Sequence, residues 1–131
     1  MLQGLDYLHT KKWVIHRDIK LENTLLDAQG KLKICDFGVS HKLRSPQERM
    51  SEQSGTPAYI APEIIDNKGY SGFKVDLWSA GVCLYAMLTG STPFMAATTP
   101  ELHKLILSAK YELNPKEGNG IDFSKLLSKE A

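Results

Sequence analysis

The sequence predicts a mainly α-helical domain with one short β-hairpin, and three stretches carry that reading. Residues 73–89 are apolar almost all round (Val75, Leu77, Trp78, Val82, Leu84, Tyr85, Met87, Leu88) and stop at Gly90, the pattern of a buried helix ended by a left-handed glycine. Thr98-Thr99-Pro100-Glu101 places an N-cap, an early-turn proline and a capping-box glutamate ahead of Leu102, Leu105 and Ile106, which predicts a second, amphipathic helix. Two β-prone runs, 24–26 and 32–35, flank Asp27-Ala28-Gln29-Gly30 and read as the hairpin.

The remaining elements follow in chain order. Leu2, Leu5 and Leu8 fall three apart with polar residues between them, and Lys11 and Lys12 suit a helix C-terminus, so residues 1–12 are expected to form the tail of a helix. No capping residue precedes Leu2, so that helix is expected to be under way where the sequence begins. Trp13-Val14-Ile15 is a further short β-prone run. From Asp36 to about Pro62 nothing is periodic, which makes a loop of roughly 25 residues, longer than ordinary connections and of the kind that carries function. Residues 114–120 read as loop and 127–131 as a helix barely begun. Asp76 interrupts the apolar helix, where an unpaired buried charge would cost several kcal/mol; it must therefore have donors.

Composition removes several function classes. The 131 residues, 42% apolar and 24% charged, fit one ordinary globular domain. A net charge of +1 gives no electrostatic footprint for nucleic acid or an anionic membrane. No apolar run approaches the roughly 18 residues of a spanning helix, and no secretory signal opens the chain. The expected setting is cytoplasmic or nuclear, cytoplasmic first. Cys35 and Cys83 are too few and too far apart for a disulfide framework or a metal site, so reduced thiols are expected.

The chemistry lies between Ile15 and Glu63, where the sequence reads His16-Arg17-Asp18, Lys20, Asn23, Asp36-Phe37-Gly38 and finally Ala61-Pro62-Glu63. A single loop aspartate is ordinarily a solvated turn residue; the joint spacing of Asp18, Lys20, Asn23 and Asp36 sets these apart. Eleven residues in this fixed order resemble the eukaryotic protein kinase family. The resemblance runs over essentially the whole chain and corresponds to the larger, C-terminal lobe of that fold, with catalytic loop 16–23, activation segment 36–63 and a buried central helix over about 73–89. It implies a partial kinase domain over residues 1–131 from which the small N-terminal lobe is absent. No Gly-x-Gly-x-x-Gly and no Val-Ala-Ile-Lys occurs, so the chain alone is expected to transfer phosphate very poorly.

The resemblance also implies roles. Asp18 is the base that takes the acceptor's proton, Lys20 steadies the transferred phosphate, and Asn23 and Asp36 offer oxygen to Mg2+, a hard cation. ATP is the phosphate donor, met by Lys20, Glu22, Asn23, Leu25 and Asp36. Lys20, two residues after the base, and Thr56, whose hydroxyl braces base and lysine, favour serine or threonine over tyrosine as acceptor. Residues 84–94 resemble the calmodulin-dependent and AMP-activated kinase group. His16 and Phe37 are implied to be packed pieces of the core, Asp76 to accept N–H bonds from the His16-Arg17 turn, and Glu63 to pair with an arginine beyond Ala131, a partner it is expected to lack.

Within the activation segment, Gly55, Thr56, Pro57 and Ile60 are implied to dock substrate. Where many relatives carry a phosphorylated threonine that Arg17 would clamp, this chain has Glu52; either Glu52 pairs with Arg17 itself, or it is a solvated loop residue and Ser51 or Ser54 is modified. Glu22 matches a position that selects a basic residue before the acceptor, a preference that Ala86 weakens, and Thr24 stands where an aliphatic residue is usual. Cys35 lies at a position facing the nucleotide, although an inert buried thiol is the ordinary reading of such a cysteine. Two functions remain open: a segment of a working Ser/Thr kinase that acts on protein substrates and answers to an upstream kinase, or a silent short product that serves as a peptide-binding or decoy module.

Overall fold

The computed structural model describes residues 1–111, so the loop and helix expected over 114–120 and 127–131 lie outside the described residues. Helix α1 (Leu2–Asp6) runs into a wider π-type turn at Tyr7–Lys12, which ends at Trp13 with φ 54°. Leu5 and His9, four residues apart, face inward and are buried, as the helical repeat requires. Strand β1 (Val14–Ile15) then leads into the catalytic loop. The expected hairpin is present: β2 (Thr24–Leu26) pairs with β3 (Leu32–Ile34) in antiparallel register, Leu26 opposite Leu32. Its turn is held by Asp27, whose Oδ1 accepts the N–H groups of Gln29 and Lys31.

The long segment after Asp36 is not the continuous loop that its lack of period suggests. Strand β4 (His41–Lys42) pairs with β1, and β5 (Arg49–Met50) pairs with β6 (Tyr70–Ser71). A 3₁₀ turn at Pro57–Tyr59 and the short helix α2 (Pro62–Ile65) complete it. Strands of two residues show no alternation, so their partners alone define them.

Helix α3 (Gly72–Thr89) has the predicted span within one residue and ends at Gly90, φ 84°. It is not buried on every side. Val75, Asp76, Ser79, Ala80, Val82, Cys83 and Ala86 face inward, but Leu77, Leu84, Met87 and Leu88 are 41–55% exposed. The described residues pack onto one flank only, so apolar composition overstates the burial. Its first turn meets β1 so closely that a Cβ on Gly72 would fall 1.6 Å from Ile15 Cδ1, so any other residue there would force the buried Ile15 side chain to move. Helix α4 (Thr99–Ser108) is capped by Thr98, whose Oγ1 accepts the Glu101 N–H and donates to the Glu101 carboxylate. No described helix is long and apolar enough to cross a membrane.

Two apolar clusters form the core. One gathers Ile15, Leu43, Met50, Ala61, Ile64, Tyr70 and Val75; the other gathers Leu5, Ile19, Tyr59, Ala80, Val82 and Cys83. Trp78 packs against both. Because Ile15 belongs to the first and Ile19 to the second, the chain between them is stretched across the seam. Those intervening residues are His16, Arg17 and Asp18.

Candidate active site

The His16–Asp18 loop is fixed from beneath by one carboxylate. Asp76 Oδ2 accepts the His16 N–H at 2.8 Å and Oδ1 accepts the Arg17 N–H at 2.9 Å. These are the two donors expected of the His16-Arg17 turn. A third was not foreseen: His9 Nε2 donates to Asp76 Oδ2 at 2.8 Å, both side chains being buried. The bonds hold Arg17 at φ 68°, a left-handed conformation that costs a non-glycine residue about 1 kcal/mol or more. His16 is fully buried; its Nε2 donates to the Cys35 carbonyl at 2.9 Å and its Nδ1 accepts the Asp18 N–H.

Asp18 follows, surrounded by donors. Thr56 gives its hydroxyl to Oδ1 at 2.7 Å and its N–H at 3.1 Å, Lys20 Nζ stands 2.8 Å from Oδ2, and Asn23 Nδ2 donates to the Asp18 carbonyl and to Oδ2. Lys20 Nζ also donates to Thr56 Oγ1 at 2.9 Å, closing a ring of three side chains. Burial pushes the Asp18 carboxyl up, but the Lys20 ammonium and the two Thr56 donors outweigh it and hold the group below its ordinary value. Lys20 is raised by the same contact. Thr56 reaches Asp18 because Gly55, φ 112°, passes so near the Arg17 carbonyl that a Cβ would lie 2.8 Å from its oxygen.

Asp36 is tied to this cluster through its neighbour: the Cys35 N–H donates to the Asn23 carbonyl at 2.9 Å while the Cys35 carbonyl accepts from His16. Asp36 is exposed, with φ 62° and Oδ1 accepting the Gly38 N–H. The pair suits a hard cation. Asn23 commits its amide nitrogen to Asp18 and leaves its side-chain oxygen open, and Asp36 keeps carboxylate oxygen free, which fits Mg2+ with its remaining positions filled by phosphate and water. Phe37 departs from expectation: its ring meets His16 edge-on at 4.9 Å, yet it is 44% exposed. It is a half-covered neighbour of the core and not a fully packed piece of it.

The other predicted residues sort by place. Glu22 and Leu25 are exposed on the 3₁₀ turn Leu21–Asn23 and on β2; neither bonds to the ring around Asp18, but the Glu22 charge is near enough to help raise Lys20. Pro57 opens the turn after Thr56, and Ile60 lines, with Asp18, Gly55 and Thr56, a small cavity of about 10 Å³, room for one water. Glu63 is half-buried on α2. Cys35 is half-buried and Cys83 is buried, both free; burial pushes the Cys83 thiol up to about 11, which makes it inert.

Arg17 reaches the activation segment. Its Nη1 donates to Glu52 Oε2 at 2.7 Å and its Nε to the Val39 carbonyl at 2.5 Å, so Glu52 stands against Arg17 although its side chain is 73% exposed. That hydrogen bond lowers the Glu52 carboxyl below its ordinary value. Ser51 is exposed and Ser54 half-buried beside it. The sequence reading missed His9 and Tyr70, whose hydroxyl donates to the Glu52 carbonyl. His9 had a signal: it lies one turn beyond Leu5 on the buried face, where a polar group demands a partner.

A family model described as the protein kinase domain matches residues 1–130. The chain is 48% identical over 115 residues to CBL-interacting serine/threonine-protein kinase 21 of Arabidopsis thaliana, covering 88% of this chain and 27% of the relative. It is 45% identical over 111 residues to the probable serine/threonine-protein kinase CCRP1 of Zea mays (85% and 18%) and 43% identical over 120 residues to CBL-interacting protein kinase 8 of Oryza sativa subsp. japonica (92% and 27%). The chain thus spans about a quarter or less of the length of these curated relatives.

Proposed function

From a chain that belongs to the protein kinase family, we propose a specific share of the enzyme: the catalytic loop, metal ligands and activation segment of the large lobe of a Ser/Thr kinase, acting on protein substrates. The observation that supports this best is the ring of Asp18, Lys20 and Thr56, with Asn23 bonded to the base and Asp36 tied to Asn23 through Cys35. A silent peptide-binding module needs none of these groups in this arrangement.

In this reading ATP is the phosphoryl donor, and Mg2+ would offset the charge of its phosphates. Asn23 and Asp36 hold the metal through oxygen. Asp18, an ionised carboxylate at neutral pH whose neighbours hold it below its ordinary value, accepts a hydrogen bond from the substrate hydroxyl, orients the attacking oxygen and takes its proton as the new P–O bond forms and the bond from the γ-phosphorus to ADP breaks, ADP leaving. Lys20, already beside Asp18, carries the positive charge that the transferred phosphoryl group meets. Thr56 holds base and lysine at a common distance, which favours positioning over raw basicity.

The test is phosphate transfer from ATP to Ser/Thr peptides by the full-length protein that carries this chain. Asp18→Asn is expected to lower kcat by about 10²–10⁴, the worth of general-base help. A rate unchanged by that substitution would overturn the assignment.

A further inference from the structure

Tyr70 is buried, with 2% of its surface exposed, yet it carries a hydroxyl that must find a partner. The partner is the backbone of the activation segment: the phenol donates to the Glu52 carbonyl at 2.5 Å. Two further contacts bring Tyr70 to this place. Its strand pairs with β5, Met50 opposite Tyr70, and Arg49 donates to the Gly69 carbonyl just before it. Glu52 itself is a surface residue, and among the described residues the Tyr70 hydroxyl is what holds its backbone carbonyl.

We infer that Tyr70 is a positioning residue for phosphate transfer: by fixing the Glu52 backbone it holds the Glu52 carboxylate against Arg17, and through Arg17 it sets Asp18. The inference rests on the kinase reading for its effect on rate. The path is short and continuous. From the phenol it passes to the Glu52 carbonyl, from the Glu52 carboxylate to Arg17 Nη1, and from Arg17 to the next residue, the base. Arg17 Nε on the Val39 carbonyl couples the chain after Asp36 to the same side chain. An exposed ion pair alone contributes little, because solvent and side-chain freedom compete with it. A buried phenol that removes the backbone freedom of one partner changes that balance.

The experiment compares Tyr70→Phe, Glu52→Ala and the double variant in the full-length protein. Phenylalanine keeps the ring in the core and removes only the hydroxyl. Tyr70→Phe is expected to lower kcat about five-fold, the effect of one lost hydrogen bond, with the KM for ATP unchanged. In the Glu52→Ala background the same change is expected to do nothing further, since the clamp it serves is gone. Hydrogen exchange supplies a second readout: amides at 51–54 are expected to exchange faster in Tyr70→Phe while those of α3 keep their rates, which separates loss of the strap from loss of the fold. Independent, multiplying effects on kcat, or unchanged exchange at 51–54, would overturn the inference. If the unsubstituted protein transfers no phosphate while exchange at 51–54 still responds, the kinase reading fails and the strap stands.

Discussion

Two carboxylates grip the catalytic loop, Asp76 from below and Glu52 from the side, and their surroundings are opposite. Asp76 is 1% exposed and accepts three donors, from His9, His16 and Arg17. Glu52 is 73% exposed and meets one guanidinium directly, at 2.7 Å, on the open surface. The first is a fixture: burial makes every one of its bonds expensive to lose. The second is an adjustable contact, weak enough that a neighbouring charge or a change of ionic strength alters it. A kinase-like loop thus separates what must never move from what can be tuned.

The largest expected effect tests the fixed side. Asp76→Ala leaves two backbone N–H groups and the His9 ring without their acceptor in a buried place, a loss of about 3–5 kcal/mol. Thermal unfolding of the full-length protein is the measurement, with Asp66→Ala, an exposed surface carboxylate, as the comparison. Equal melting temperatures would erase the contrast.

A middle-sized effect tests the base. Because the folded Asp18 carboxyl lies below its ordinary value of 3.8, the ionised form and the stability it brings are present above that value and fade only as pH falls through the lower folded one. Thr56→Val removes one of the donors that keep it low. The titration of the Asp18 carboxyl carbon by NMR is expected to move upward toward the ordinary range, and kcat to fall about ten-fold as base and lysine lose their shared brace. An unmoved titration would assign the shift to Lys20 and the Thr56 N–H, with no share for the hydroxyl.

The smallest effect tests the adjustable side. Glu52→Ala is expected to leave the melting temperature in place and to lower kcat/KM by a few-fold at low salt, with the difference shrinking as salt rises. Ser51→Ala and Ser54→Ala measured beside it sharpen the comparison: activity lost only in a serine variant would move control of the loop from Glu52 to phosphorylation.

How much of this was legible in sequence follows from range and size. His16, Asp18, Lys20, Asn23 and Asp36 were legible because their identities and spacing are chemical requirements of one site. The demand that Asp76 find donors was legible too, since a charge inside an apolar helix has few ways to exist. Strands β4, β5 and β6 were not, because two-residue strands have no period and arise from pairing across distant chain. The exposed stripe at Leu77, Leu84, Met87 and Leu88 was misjudged for a related reason: composition reports which residues tolerate burial and cannot say which face is covered. Tyr70 was hidden because its meaning lies in a carbonyl 18 residues away.

The tie between His16 and Asp76 joins residues 60 apart in the chain. Closing so long a loop costs entropy before any contact rewards it, and contacts of this separation form late. During synthesis His16, Arg17 and Asp18 emerge long before the carboxylate that seats them, and until α3 has been made nothing holds Arg17 in its left-handed turn. The loop that carries Asp18 therefore gains its two backbone anchors only once α3 exists.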